Sequence, residues 1–326
     1  MDMPPKATPV APLLSIVRLL WRRMPSGMRA TRPMRHVGSA IYDRYVRHTD
    51  RFQSHYTWFL RNPPQLALVA DLLLSSTPNR APLRAMSVGC SVGAELYSLL
   101  WLLRRFEPDL VIDGRGIDIV PEAVALARQA SYRLEAPSST GGTLWVDGRR
   151  LLSTSEEAVE EIFDLADDGA YRVKPAIRRS ANWYVGDAAD PRLVALHGEQ
   201  DLVMACNFLG PMEPGPAERC LRNVVTLVRP GGYLVVDGID LDVKTAVVEA
   251  LGLLPITEDA RRIHEADPTK RDWPWTRWSL EPFDESRPDW PFRYATVFQR
   301  PMRLERHHDP ILDAAPVKAE LVDSLQ

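Results

Sequence analysis

The sequence predicts an α/β protein organised around a mostly parallel sheet, and three observations carry that reading. From Leu83 onward, short apolar runs alternate with helical stretches, the pattern of βαβ units. The first run, Leu83–Val88, stops at a turn holding Gly89 and Gly93 and re-enters as a helix near Ala94. The second ends in Asp118, three residues before Pro121, a residue suited to the first turn of a helix. Strands are expected at 83–88, 114–119, 182–186, 201–206 and 232–237.

Length and composition bound what this sheet can belong to. The 326 residues suffice for one large domain or two ordinary ones. Hydrophobic content of 45% and charged content of 25% are those of a soluble globular chain. A net charge of −3 gives no general pull toward nucleic acid or anionic membrane, so no nucleic-acid partner is expected. Cys90, Cys206 and Cys220 form neither a CxxC pair nor a metal-ligand spacing; no metal is expected, and a reducing, cytoplasmic setting is. No run reaches the ~20 apolar residues of a membrane span.

Taken in order, residues 1–78 read as an N-terminal helical region, 79–300 as the main domain and 301–326 as a tail. Residues 1–9 are expected to be disordered. Helical periodicity covers Val10–Met24 and Ser39–Ser54, joined by a basic loop with Arg29, Arg32 and Arg35. Val10–Met24 is interrupted by Arg18 and followed by Arg22 and Arg23, the wrong order for a signal peptide. It reads as a helix packed on its own protein, or as an amphipathic helix touching a membrane or a partner. Pro63 and Pro64 suit the first turn of a helix running to Leu74. Further helices are expected at Ala94–Phe106, Pro121–Ala130, Glu218–Val228, Val243–Leu251 and Glu258–Glu265.

Two stretches break the alternation. Between Tyr132 and Pro175 lies an excursion with a Gly/Ser-rich loop (Pro137–Thr143) and a helical acidic piece (Ser155–Asp168). After Asp272, W-P-W-T-R-W-S-L-E-P-F and W-P-F-R-Y-A-T-V-F alternate with period two and predict a C-terminal β-hairpin at the sheet edge. Trp273, Trp275, Trp278 and Trp290 would either fill the hairpin core or wall a substrate pocket.

The turn at 89–93 points unpaired backbone N–H groups at one spot, beside a helix N-terminus that favours an anionic group. Its Gly-x-x-x-Gly spacing is not the dinucleotide fingerprint Gly-x-Gly-x-x-Gly. Asp118 at the tip of the second strand either grips the hydroxyls of an adenosine ribose or caps the following helix. Asp187, after Gly186, either reaches an adenine amino group or serves a turn.

The order of these pieces resembles the chemoreceptor glutamate methyltransferases, the CheR family of class I S-adenosylmethionine-dependent enzymes. Thr57-Trp58-Phe59-Leu60-Arg61 is similar to the family's Thr-x-Phe-Phe-Arg, and Gly89-Cys90-Ser91-Val92-Gly93-Ala94-Glu95-Leu96-Tyr97-Ser98 to its Gly-Cys-Ser-Thr-Gly-Glu-Glu-Pro-Tyr-Ser. Gly116-Ile117-Asp118-Ile119, Ala127-Arg128, Tyr132 and Tyr171-Arg172-Val173-Lys174-Pro175 follow in register. Asp201-Leu202-Val203-Met204-Ala205-Cys206-Asn207 answers Asp-x-Ile-x-Cys-Arg-Asn, so the resemblance covers about residues 55–237. It implies a Rossmann-like seven-stranded methyltransferase sheet with S-adenosylmethionine as cofactor. Thr57 and Arg61 would lie beside the cofactor's methionine end. Gly89, Cys90, Ser91, Gly93, Glu95, Asp118, Ile119, Asp187, Ala188, Asn207 and Phe208 would line the rest. Asn62-Pro63-Pro64 mimics the Asn-Pro-Pro-Tyr signature of amino-group methyltransferases, but it precedes the first strand and reads as a cap followed by helix-starting prolines.

Several positions depart from the family. His55 stands for its first Asn, Cys206 for the Arg before Asn207, and Gly210-Pro211-Met212 for Ile-Tyr-Phe; the Ser-Glu after the fifth strand is missing. The acceptor is therefore open. The leading expectation is O-methylation of a carboxylate, on a protein side chain or a small acid. Such an acceptor, with a pKa near ~4, is ionised at neutral pH and needs no general base. Accordingly no His/Asp or His/Glu pair stands at the expected cofactor positions. Arg61 would hold the acceptor carboxylate or the cofactor's own, or only pair with an acidic neighbour. His55 is the candidate base if the acceptor is a hydroxyl or amine; otherwise it is structural. Two alternatives stand beside this reading: O- or N-methylation of a small metabolite, and a cofactor-binding regulator that has lost catalysis.

Overall fold

A computed structural model describes residues 12–46, 57–76, 82–138, 141–146, 149–150, 156–266, 273–275 and 281–302. His55, Trp278, residues 1–9 and the tail from 303 onward, all subjects of the sequence expectations, lie outside the described residues.

In chain order the strands are β1 Leu83–Val88, β2 Ile112–Asp118, β3 Ser131–Ser138, β4 Gly141–Val146, β5 Arg149–Arg150, β6 Phe163–Leu165, β7 Ala170–Val173, β8 Ala181–Val185, β9 Gln200–Cys206, β10 Val228–Asp237, β11 Leu254–Pro255 and β12 Val297–Gln299. Seven of them form one sheet in the order β11-β12-β10-β9-β1-β2-β8. β1 lies inside the sheet, between β9 and β2, and its residues, Arg84 excepted, are buried, as expected of a strand covered on both faces. It pairs in parallel with β2, Leu83 opposite Ile112 through Val88 opposite Ile117, and with β9, Ala85 opposite Leu202. The chain thus moves outward through β2 and β8, then returns to the other side of β1. That reversal opens a crevice at the carboxyl ends of β1 and β9, the usual ligand position in such sheets.

Helices cover both faces. Leu66, Leu73, Leu96 and Leu100 pack under one face, and Leu221, Val224, Val247 and Val248 under the other. Helices Ala94–Phe106 and Pro121–Gln129 match expectation to within a residue. Pro63–Ser76 starts as the prolines dictate, and Asn62 Oδ1 accepts from Gln65 N at 3.3 Å, so Asn62 is the cap it was read as.

The excursion after Tyr132 is mostly a second, antiparallel sheet, ordered β5-β4-β3-β7-β6. The acidic helix is confined to Glu156–Ile162, and the rest of that piece becomes β6 and its turn. Two causes act together. Phe163 is drawn into an aromatic cluster with Phe59 and Tyr132, ring centroids 4.9 and 6.1 Å away. Asp168-Gly169, with Gly169 at φ 74°, supplies the hairpin turn from β6 to β7.

The C-terminal β-hairpin forms differently from the expectation. Trp290–Tyr294 is a helix with Pro291 in its first turn, where a missing N–H costs nothing and where a ladder strand would lose a donor. Among the described residues after Asp272 only Val297–Gln299 is a strand, and it pairs antiparallel with β10 and with β11. β10 starts at Val228, ahead of the expected 232, by running through Pro230-Gly231-Gly232 with its register broken between Val228 and Tyr233.

The N-terminal helices Pro12–Arg23 and Arg32–Ile41, the latter continued by a π-turn at Tyr42–Val46, dock on the far end of the chain. Trp21 Nε1 donates to Trp273 O at 2.8 Å, Arg35 pairs with Asp284 at 2.9 Å, and Tyr42 Oη donates to Asp240 at 3.0 Å. Trp273, 5% exposed, fills a small core with Trp21 and Ile41. No helix among the described residues is long and apolar enough to cross a membrane.

Candidate functional site

The glycine turn is built by three left-handed residues within five: Gly89 (φ 70°), Ser91 (φ 50°) and Gly93 (φ 90°). Gly89 N and Cys90 N both donate to Ile117 O at 2.9 Å, which ties the turn to β2. A Cβ on Gly89 would stand 2.6 Å from the Phe208 ring, so only glycine lets that ring close over the turn. Tyr132 Oη donates to Val92 O at 2.7 Å and fixes the turn from beneath.

Asp118 clamps the same turn. Its Oδ2 accepts from Ser91 N at 2.8 Å and its Oδ1 from Val120 N at 3.0 Å, and the residue is 7% exposed. The second bond braces the turn before the helix Pro121–Gln129, whose cap position belongs to Val120. Two bonds leave about half of a carboxylate's acceptor positions open. Asp187 also serves a turn, accepting from Ala189 N at 2.8 Å.

These residues line one cleft at the carboxyl ends of β1 and β9, with Thr57, Trp58, Arg61, Asn62, Gln65, Cys90, Glu95, Ile119, Ala188, Met204, Cys206, Asn207, Pro211, Met212 and Asp237 among the rest. Every sequence-proposed site residue within the described chain is there, except Gly93. A Cβ on Gly93 would meet Trp183 at 2.7 Å, so that glycine serves packing behind the turn.

The strip Thr57–Arg61 reaches the cleft because Phe59, fully buried between Tyr132 and Phe163, anchors it in the core. Leu60 N donates to Ser98 Oγ at 2.9 Å, pinning the strip to the helix Ala94–Phe106. Arg61 then lies over the Trp58 ring at 4.1 Å, and its Nη2, buried, has no hydrogen-bond partner among the described residues. Opposite, Glu95 accepts from Ser87 Oγ at 2.9 Å. Burial pushes the Glu95 carboxyl up, against the hydrogen bonds of Cys206 and Ser87 and the charge of Arg61. Burial, with Glu95 and Asp237 beside it, holds the Cys206 thiol well above its ordinary range and protonated.

Asp237, Met204, Asn62 and Gln65 are cleft residues that sequence reasoning missed. Asp237 had a signal: like Asp118, it is an acidic residue at the carboxyl end of a parallel strand, followed by Gly238 in a left-handed turn.

The donor set can be matched to a ligand by charge. Among the lining residues are four carboxylates (Glu95, Asp118, Asp187, Asp237) and one guanidinium (Arg61). That set suits a ligand with a sulfonium and an ammonium charge and one carboxylate, which is S-adenosylmethionine. The orphaned Arg61 Nη2 is the donor such a carboxylate would satisfy.

Comparison with known proteins agrees. The probable biofilm formation methyltransferase WspC of Pseudomonas putida is 31% identical over 189 residues, 55% of this chain and 40% of that protein. A chemotaxis protein methyltransferase of Vibrio parahaemolyticus is 26% identical over 183 residues, 55% of this chain and 61% of its own. Chemotaxis protein methyltransferase 2 of Pseudomonas aeruginosa is 25% identical over 223 residues, 63% of this chain and 73% of its own. The matched stretch thus spans less than two thirds of the first two relatives. The family described as CheR methyltransferase, SAM binding domain, matches residues 55–240, more than half of the 326. With that match, and with a cleft whose charges suit the cofactor, the chain belongs to the CheR methyltransferase family.

Proposed function

We propose that this protein transfers a methyl group from S-adenosylmethionine to a carboxylate oxygen, on a protein side chain or a small acid. In this reading Asp118 holds the ribose hydroxyls with its open acceptor positions, and Asp187 and Ala188 border the adenine. Gly89, Ser91 and Phe208 shape the groove between them. At the methionine end Arg61 and Thr57 face the carboxylate, while Glu95, oriented by Ser87 and Cys206, faces the ammonium. When bound, the cofactor supplies an electrophilic methyl on a positively charged sulfur. The chain's part is to align the acceptor in line with that carbon and to exclude water. An ionised acceptor carries no proton to remove, in keeping with lining residues that include carboxylates, protonated thiols and one arginine.

The observation that carries the proposal is Arg61, whose buried Nη2 has no hydrogen-bond partner among the described residues and whose charge acts on the carboxyl of Glu95. The names of the relatives, chemotaxis protein methyltransferases, favour a protein acceptor. Incubation with methyl-labelled cofactor and candidate acceptors tests it. Label released as methanol by mild alkali supports a methyl ester. Alkali-stable label would instead assign O- or N-methylation of another group, for which the apolar Pro211 and Met212 leave room. Cofactor binding without turnover on any acceptor would leave a regulator.

A further inference from the structure

We propose that the outward face of the helix Pro12–Arg23 docks on an anionic lipid bilayer. Its inward face is already satisfied: Trp21, 2% exposed, packs on Trp273 and Ile41, with Val17 beside it. Its outward face carries Ile16, Leu19 and Leu20, exposed by 56%, 49% and 61%. Their i, i+3, i+4 spacing gathers them into one stripe. Arg18, Arg22 and Arg23 belong to the same helix, and it holds no acidic residue. From Pro12 to Tyr42 the chain has six arginines and no Asp or Glu, although its overall charge is −3. The net charge hides a basic N-terminal segment on an otherwise acidic protein.

Two plainer explanations fall short. Arg22 and Arg23 complement the helix dipole at its C-terminus, which leaves the absence of any acidic residue from Pro12 to Tyr42 unexplained. Single exposed apolar residues are ordinary, but three large aliphatic side chains in one stripe are not single. An aliphatic stripe edged by guanidinium groups has the chemistry of a helix lying in the headgroup region, its apolar side chains among acyl chains and its cations among phosphates. An acidic protein partner would match the charge and leave the stripe against polar surface. The helix connects to the cleft rim only through its neighbour: Trp21 packs on Ile41 of Arg32–Ile41, and the next residue, Tyr42, bonds Asp240, three residues after the cleft residue Asp237. A helix of 12 residues gives weak, reversible attachment.

Sedimentation of the full chain with phosphatidylcholine vesicles, with and without a quarter of phosphatidylglycerol, tests this. The protein is expected to partition onto the anionic vesicles at least ~10-fold more strongly than onto neutral ones, and to be released by high salt. The double substitution Leu19→Glu and Leu20→Glu, at exposed positions, should leave the melting temperature unchanged and lower anionic partitioning by ~10-fold or more. Protein remaining in solution with both vesicles, equal retention on both, or full retention of the double variant would overturn the proposal. So would a wild-type dimer that the double substitution dissociates without any vesicle binding, which would assign the stripe to a second copy of the chain.

Discussion

Asp118→Ala separates the two roles given to that carboxylate. In the free protein it removes the acceptors of Ser91 N at 2.8 Å and Val120 N at 3.0 Å. Ser91 is 8% exposed, so water has little access to the donor left behind. A hydrogen bond to a charged acceptor contributes ~1.5–3 kcal/mol, and a stranded buried donor costs ~1–3 kcal/mol. The substitution should therefore destabilise the protein by about 3 kcal/mol, which at ~2–4 °C per kcal/mol lowers the melting temperature by about 6–12 °C. Asp118→Asn keeps one acceptor oxygen and should lose about half as much. Cofactor binding adds a separate loss. Without the acceptor for two ribose hydroxyls, the Kd for S-adenosylhomocysteine should rise ~10–100-fold, at ~1.4 kcal/mol per decade. Calorimetric melting and isothermal titration, the latter run well below the variant's transition, read the two effects independently. A variant that melts with the wild type would refute the clamp. A folded variant with unchanged Kd would remove Asp118 from the cofactor site.

Gly89→Ala places a Cβ 2.6 Å from the Phe208 ring at φ 70°; titration should find cofactor affinity reduced at least ~10-fold, with ~1–2 kcal/mol of backbone strain added. Burial raises the Glu95 pKa, so the proposed partner of the cofactor's ammonium would lose its charge as pH falls through that raised value. Titrations across the acid range should find affinity falling there in the wild type and flat in Glu95→Gln. Burial, aided by the charge of Arg293, lowers the Lys244 pKa to about 7, against Asp237 and Glu281, while its ammonium donates to Ala295 O at 2.6 Å. The unfolded lysine titrates near ~10.4, so the unfolded state binds more protons between the two values. This group's contribution therefore rises with pH from about 7 to about 10 and is lowest below pH 7. Urea unfolding at several pH values should find that slope in the wild type and find it missing in Lys244→Met.

Much of the parallel sheet was legible because its strands are buried on both faces and read as short apolar runs between helix caps and prolines. Leu83–Val88 and Ala94–Phe106 coincide with the observed elements for that reason. The cleft was legible where the backbone itself makes it, at Gly89 and Asp118, whereas Asn207 was legible only through the resemblance to the family. What was missed depends on contacts distant in sequence. Phe163 leaves a helical acidic stretch because Phe59 and Tyr132 stand ready to pack it. Trp290-Pro291 alternates like a strand yet opens a helix, since proline's fixed φ suits a first turn better than a ladder. Met204, on β9, and Gln65, on the helix Pro63–Ser76, lie far apart in sequence and meet only at the cleft, which no local pattern reveals.

The account stands most directly on a crystal structure of the protein with S-adenosylhomocysteine. It predicts density in the cleft at the ends of β1 and β9, the ribose on Asp118 and the amino-acid end between Arg61 and Glu95. An empty cleft at saturating ligand, or the ligand bound elsewhere on the chain, would contradict it.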